Sequence, residues 1–284
     1  MYAELQPVRH KPASKPRVAL HTGLIVGSLV MILPFLWMLS TSLKAPREVF
    51  TYPPNWIPSV LVWSNYSDAL SAMPFDRFYL NSVFVALSVT SLQLLTSSLA
   101  AFAFARLRFK GRNTLFVIYL ATLMIPFPVL LIPNFLLVRA FGWYDSFAAL
   151  ILPPAFSAFS TFLLRQHFLT IPMELDDAAR IDGASSLLIW SQVIMPMSRT
   201  ALAAVGIFIF LGNWNEFLWP LVVTSSESMR TVPVGLSAFQ GQYNVRWNLL
   251  MAAAVVAMLP VILVYLVAQK WFIRGISITG MGGR

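Results

Sequence analysis

Six long apolar stretches, joined by short polar connections, constrain this chain more than any other feature. They cover about residues 20–43, 78–105, 112–138, 146–164, 199–223 and 248–272. Each is near or above the roughly 20 apolar residues an α-helix needs to cross a bilayer. Hydrophobic residues make up 58% of the sequence and charged residues 11%, whereas a soluble domain carries about 25% charged residues. One globular core has no use for so much apolar side chain. The expected fold class is therefore all-α, a polytopic transmembrane helical bundle of six spans. Pro153-Pro154 interrupts the fourth stretch. Pro34 in the first, Pro126, Pro128 and Pro133 in the third and Pro260 in the sixth predict kinks, since proline removes a helix hydrogen bond.

An even number of spans puts both termini on one side, and basic residues say which. Arg9, Lys11, Lys15 and Arg17 precede the first span; Arg106, Arg108, Lys110 and Arg112 follow the second. Arg165, Arg180 and Arg199 follow the fourth, and Lys270, Arg274 and Arg284 close the chain. The opposite loops hold Lys44, Arg47, Arg77, Arg139, Arg230 and Arg246. The richer side is expected to be cytoplasmic. This divides the chain into a cytoplasmic arm (1–19), a membrane domain (20–273) and a cytoplasmic tail (274–284). The net charge of +9 is then mostly topological. It is spread over every inner loop, which argues against nucleic acid as a partner. The sequence has no cysteine, so neither a disulfide framework nor a thiolate metal site is available. The basic start looks like a signal peptide, but its apolar run is too long and lacks a small-x-small cleavage site, so an uncleaved first span is expected.

The longest outer segment, about 44–77, carries Pro53, Pro54, Trp56, Pro58, Trp63 and Tyr66. Such residues suit an anchor at the membrane interface, or a lip that meets a partner outside. A tight connection runs through Gly142. A polar outer segment, about 224–247, holds Ser225, Ser226, Gly235, Gln240, Gly241 and Gln242.

Between the fourth and fifth stretches lies a polar, acidic island, Pro172 to Pro196. Pro172 is suited to the first turn of a helix. Glu174, Asp176 and Asp177 then sit where carboxylates meet the positive end of the helix dipole. Ala178 and Ala179 favour helix and let a partner backbone come close. Asp182-Gly183 is a C-cap or turn signal, and Ser185 is placed to cap a second short helix through Leu187, Leu188 and Trp190. Pro196 is expected to end that helix. The segment 171–196 thus reads as a helix–turn–helix lying against the membrane and offering a surface to something soluble.

At these residues the chain resembles the membrane subunits of bacterial ABC importers. The family signature is Glu-Ala-Ala, three residues, Gly, nine residues, Ile-x-Leu-Pro. Here Asp177-Ala178-Ala179, Gly183 and Val193-Ile194-Met195-Pro196 keep that spacing, with Asp for Glu, Val for Ile and Met for Leu. Ala103 to Arg112, Gly212 to Pro220, Thr231 to Leu236 and Phe239 to Tyr243 look like the carbohydrate-importer branch, which includes the smaller permease subunit of maltose-type systems. The resemblance implies the type I importer permease fold. It also implies that Asp177, Ala178, Ala179, Asp182, Gly183 and Pro196 belong to coupling helices that seat in a cytosolic ATPase. The implied partners are a second, homologous permease, two ATPase subunits and an extracytoplasmic solute-binding protein, all at a bacterial-type cytoplasmic membrane. The tail from Arg274 would reach the ATPase interface, or is simply a frayed end.

Glu216, beside Asn213 and Asn215, is an acid within the fifth stretch. An intramembrane acid marks either a solute pathway or a capped helix end, in the second case pairing with Arg230 or Arg246. Gln93 leads a polar stripe with Ser91, Thr96 and Ser97 that either lines the pathway or packs helices; Asn81 and Asn134 pose the same choice. No cofactor is expected. His10, His21 and His167 are too scattered for a metal, and no phosphate-binding loop is present, so the energy for transport would come from a partner. The expected function is that of a non-catalytic permease subunit of an ATP-driven importer for a sugar or related polyol. The alternatives are an importer for a non-carbohydrate solute and an ion-gradient-driven secondary transporter.

Overall fold

The computed structural model describes residues 15–239 and 245–279. Most of the N-terminal arm, Gln240, Gly241, Gln242 and Tyr243, and the tail beyond Thr279 lie outside these residues. Among the described residues every regular element is helical. The chain opens with α1 (Lys15–Ser42), continues through the short α2 (Ser64–Ser71) and enters α3 (Phe75–Arg106). Then come α4 (Arg112–Ala121), α5 (Phe127–Ala140), α6 (Phe147–Ile151) and α7 (Ala158–Leu169). The island is built from α8 (Glu174–Ile181), α9 (Ser186–Ile189), a π turn at Trp190–Ile194 and α10 (Met195–Met197). The chain closes with α11 (Arg199–Trp214), α12 (Leu218–Val223), α13 (Val232–Ser237) and α14 (Trp247–Thr279).

Three single helices, within α1, α3 and α14, are long and apolar enough to cross a membrane. The other expected spans are broken. The third stretch bends by 101° between residues 112–124 and 127–140 instead of forming one kinked helix. The reason is local: Ile125 and Phe127 each precede a proline, which disfavours the helical region, and Ile125 is extended with φ −88° and ψ 113°. The fourth stretch bends by 42° at the Pro153–Ala155 turn. The fifth, expected to be continuous over 199–223, stops at Trp214 and resumes at Leu218. There Asn213 and Asn215 turn their side-chain amides back onto the carbonyls of Ile209 and Leu211, both at 2.8 Å. Pro220, moreover, has no N–H to give Glu216.

α3 is the central helix, packed against α7 and α11, while α14 packs against α1, α2 and α11. One apolar cluster joins Val85, Val89 and Phe102 of α3 to Leu164, Phe168 and Ile209. A second, at the other end of α3, joins Phe75 and Phe78 to Val232, Leu249 and Ala253. Between apolar helices in lipid, close backbone approach matters more than burial from water, so small residues mark the contacts. Ala86, Ala101, Ala252 and Ala253 are all 0% exposed. By contrast residues 19–36 of α1 are exposed throughout, a face for lipid or another helix.

Polar bonds close the end of the bundle where α1, α2 and α14 meet. The Asn65 amide donates to the carbonyls of Ser42 (2.9 Å) and Lys44 (2.8 Å), and accepts from Asn248 (2.8 Å). Lys44, an apparent loop charge in the sequence, is buried with its ammonium 4.0 Å from the centre of the Trp37 ring. Trp56 stands edge-on to Trp37 at 5.1 Å and stays half exposed, as an interface residue does.

Candidate functional site

The acidic island forms from its own sequence. α8 carries Glu174, Asp176 and Asp177 in its first turn. It ends in a Schellman motif: the Gly183 N–H donates to Arg180 O at 3.0 Å and the Ala184 N–H to Ala179 O at 2.9 Å. Gly183 has φ +85°, the left-handed value glycine adopts without strain. Ser185 then caps α9 by accepting the Leu188 N–H at 3.3 Å. Asp177, Ala178, Asp182 and Gly183 are exposed, with Ala179 half-buried against the bundle. Ile181 and Leu187 add exposed apolar surface, 87% and 63% accessible. Acidic, small and greasy residues therefore share one displayed surface.

Two expectations about proline need correction. Pro172 lies ahead of α8, which starts at Glu174. Pro196 does not end the second helix; it sits inside α10, and the break comes at Ser198. The π turn lets the helix tolerate this proline, with the Met195 N–H reaching back to Trp190 O. Between Ser186–Met197 and Arg199–Trp214 the chain turns by 84°. This angle sets the island across the axis of α11.

The island is tied to α3 by Arg106, which the sequence offers as a loop charge and as part of the Ala103–Arg112 resemblance, with no partner assigned. Arg106, 2% exposed, donates to Ile171 O (2.8 Å) and Met173 Sδ (2.7 Å). Its Nε lies 3.8 Å from Oδ2 of Asp176, which is wholly buried. Burial pushes the Asp176 carboxyl up, and Arg106 and then Arg180 offset part of that. The legible signal was an arginine at the end of an apolar stretch and an acid on the inner face of a short amphipathic helix.

A cavity of about 410 Å³ opens along the middle and far part of α3. Gln93, Asn134, Asn213 and Glu216 line it, with Phe127 and Trp219 supplying aromatic walls. Three of the four expected pathway residues thus come together. Asn215 does not: it is exposed and bonds back to its own helix. Gln93 both lines the cavity and packs helices, donating to Ser160 Oγ at 2.8 Å. Thr96 likewise holds Ala155 O at 2.6 Å. Ser91 is exposed and bonds to Leu87 O, while Ser97 is buried. Glu216 accepts the Trp219 N–H at 3.1 Å, capping α12, and among the described residues it forms no ion pair with Arg230 or Arg246.

The rim of the cavity near the start of α3 is pinned by hydrogen bonds. Asn81 donates to Ser228 O (2.8 Å) and Arg230 O (3.0 Å), so it holds a loop instead of lining the cavity. Asp145, at φ 59°, accepts the N–H groups of Ser225 (2.9 Å) and Ser226 (3.1 Å). Partial burial pushes this carboxyl up, but the bonds from Ser225 and Ser226 outweigh it and hold the group below its ordinary value. The folded value lies under the unfolded one, so the contribution is whole above about pH 4 and is lost as pH falls through the folded value. Asp145→Ala should free the 224–231 segment and speed tryptic cleavage at Arg230 in detergent by about tenfold, the loss of two charge-assisted bonds. Cleavage at the wild-type rate would mean the segment is held by other contacts.

A displayed island tied by α3 to a helix bundle that encloses a polar cavity suits a membrane transport subunit. The comparisons agree. The family of binding-protein-dependent transport system inner membrane components matches residues 93–278. The sn-glycerol-3-phosphate transport system permease protein UgpE of Pectobacterium atrosepticum is 37% identical over 264 residues, 90% of this chain and 94% of its own. The arabinooligosaccharides transport system permease protein AraQ of Bacillus subtilis is 35% identical over 280 residues, 97% of this chain and 100% of its own. A solved chain of a bacterial ABC transporter involved in import of the acidic polysaccharide alginate superposes with a TM-score of 0.83. It is 25% identical and covers 93% of this chain and 100% of its own. The chain belongs to the binding-protein-dependent transport system inner membrane components, and it is a permease component of such a system.

Proposed function

We propose that this permease is one of two homologous membrane subunits of an ATP-driven importer for a neutral, hydroxyl-rich solute such as an oligosaccharide. The observation that carries this reading is that α3 joins the displayed island at one end to the polar cavity along its length. From Arg106 to Gln93 is about 20 Å of uninterrupted helix. Asp177, Ala178, Ala179, Asp182 and Gly183 form the surface that docks a cytosolic ATPase, with two copies serving the two permeases. ATPase closure moves the island, and the bundle swings between inward- and outward-facing states. An extracytoplasmic binding protein delivers the solute to the outer rim. Both termini lie in the cytoplasm.

The cavity chemistry supports a neutral solute. Its described lining offers amides, hydroxyls, aromatic faces and one carboxylate, with no lysine or arginine. An anion would need a cation there to repay its desolvation. The size, about 410 Å³, falls in the ordinary range of small-molecule sites, about 300–1,000 Å³. Arabinooligosaccharides fit this lining better than sn-glycerol-3-phosphate or alginate, the solutes named for the other relatives.

The test is uptake by the complete transporter in proteoliposomes. Uptake of a neutral oligosaccharide should require ATP and should not be competed by sn-glycerol-3-phosphate. Uptake that continues without ATP hydrolysis but collapses with the proton gradient would overturn the reading in favour of a secondary transporter. Glu216→Gln keeps a side-chain oxygen to cap Trp219 but removes the charge. It should lower uptake by about tenfold, as loss of a charge-assisted bond to a hydroxyl would, with no change in subunit assembly. Unchanged uptake would confine Glu216 to its capping role.

A further inference from the structure

Among the described residues, the polar contacts that Ile171, Met173 and Asp176 make with α3 all pass through Arg106. The geometry of that set is unusual. The guanidinium spends Nη1 and Nη2 on Met173 and Ile171, the residues leading into α8. Its Nε makes no hydrogen bond and faces Asp176 Oδ2 at 3.8 Å. Neither Asp176 oxygen accepts a hydrogen bond, although the side chain is fully buried. A charge-assisted bond between these groups closes at about 2.7–2.9 Å. The pair therefore stands roughly one ångström short of its stronger arrangement. Closing that gap needs only a small movement of α8 toward α3, and packed elements of this kind switch between discrete arrangements rather than deforming continuously. α3 carries the result onward without a break from Arg106 past Gln93 to Asn81 and Ser82, which hold the outer segment.

We infer that Arg106 and Asp176 are positioning residues that act as a latch, transmitting movement of the island to α3 and so to the cavity and its outer rim. This rests on the proposed docking of an ATPase on the island. It separates two tasks within it: Asp177 to Gly183 bind the motor, whereas Asp176 faces inward and relays its stroke.

The chain contains no cysteine, so one engineered cysteine can report on the cavity. Gly212 lines the cavity, and a Cβ added there meets nothing within 4 Å. In the complete transporter bearing Gly212→Cys, maleimide labelling should differ by about fivefold between the nucleotide-free and ATP–vanadate states, the scale of a coupled conformational change. Adding Asp176→Asn should abolish that difference while the ATPase still co-purifies at the parent level. A purely structural pair would instead lose ATPase and response together. The double change Arg106→Met with Asp176→Leu guards against misfolding, because an apolar pair of similar bulk removes the buried charges without stranding either. It should assemble with ATPase and remain unresponsive. If either variant keeps the nucleotide-dependent labelling, or if the double variant fails to hold ATPase, the latch is refuted and docking on the island stands. If the parent itself shows no response to nucleotide, the coupling reading fails and the latch with it.

Discussion

Gly183→Val is expected to lower the amount of ATPase that co-purifies with the permease by about tenfold, the effect of roughly 1–2 kcal/mol of left-handed strain. The argument is conformational. Gly183 holds φ +85°, and an added Cβ would meet nothing within 4 Å, so no collision inside this chain opposes the substitution. The cost falls on the backbone. Valine would pull residue 183 out of the left-handed region and break the two bonds, to Arg180 O and Ala179 O, that close α8. The angle between α8 and the Ser185-capped turn would then drift, and the two halves of the proposed docking surface would no longer be presented together. Gly183→Asn is the control, because asparagine enters the left-handed region at little cost. It should retain most of the ATPase. Wild-type association in the valine variant would remove the island as the docking surface. Equal loss in both variants would show that the partner needs the bare surface at 183 and not its turn.

Gly235→Ala should destabilise the permease fold by about 1–3 kcal/mol, the usual cost of forcing an extra group into a filled core. A Cβ at Gly235 would stand 2.3 Å from Cδ2 and 2.7 Å from Cε2 of Phe78. Phe78 is fully buried between α3, α13 and the Leu249–Ala253 part of α14, so its ring has no free direction. The measurement is thermal unfolding in detergent, followed by size-exclusion. Phe78→Leu should make room, so the double variant should lose less than the sum of the two single changes. Additive losses, or an unchanged melting temperature in Gly235→Ala, would refute this contact. Function would follow stability, since α13 begins directly after Thr231, a residue of the cavity wall.

How far these features were legible depends on how far apart their parts lie in the chain. The Gly183 turn, the Ser185 cap and the acids of the first turn are bonds between residues a few positions apart, and they stand where the sequence puts them. Pro172 and Pro196 look like helix boundaries in the sequence, but a bend after Pro172 and a π turn before Pro196 displace each boundary by two residues. Asn215 could have been set aside from the sequence. It lies two residues from Asn213, which on a helix places the two on different faces. Asn213 lies in the last turn of α11 and Glu216 in the break before α12, and both reach the cavity. Gln93 met both of its alternatives at once, because a helix contact to Ser160 forms part of the cavity wall.

The amino-acid sequence alone determined that the chain would be helical and membrane-embedded, how its apolar stretches are spaced, and that an acidic turn would stand exposed. Those properties follow from hydropathy and from short-range backbone bonds. Which charges vanish from the surface was decided only by packing. Arg106 meets Met173 across 67 positions of sequence, and Asn81 reaches Arg230 across 149. Nothing local marks such partners. Only when helices lie side by side does a charge or an amide that looked exposed find itself out of water, where it must take whatever polar group the neighbouring helix supplies.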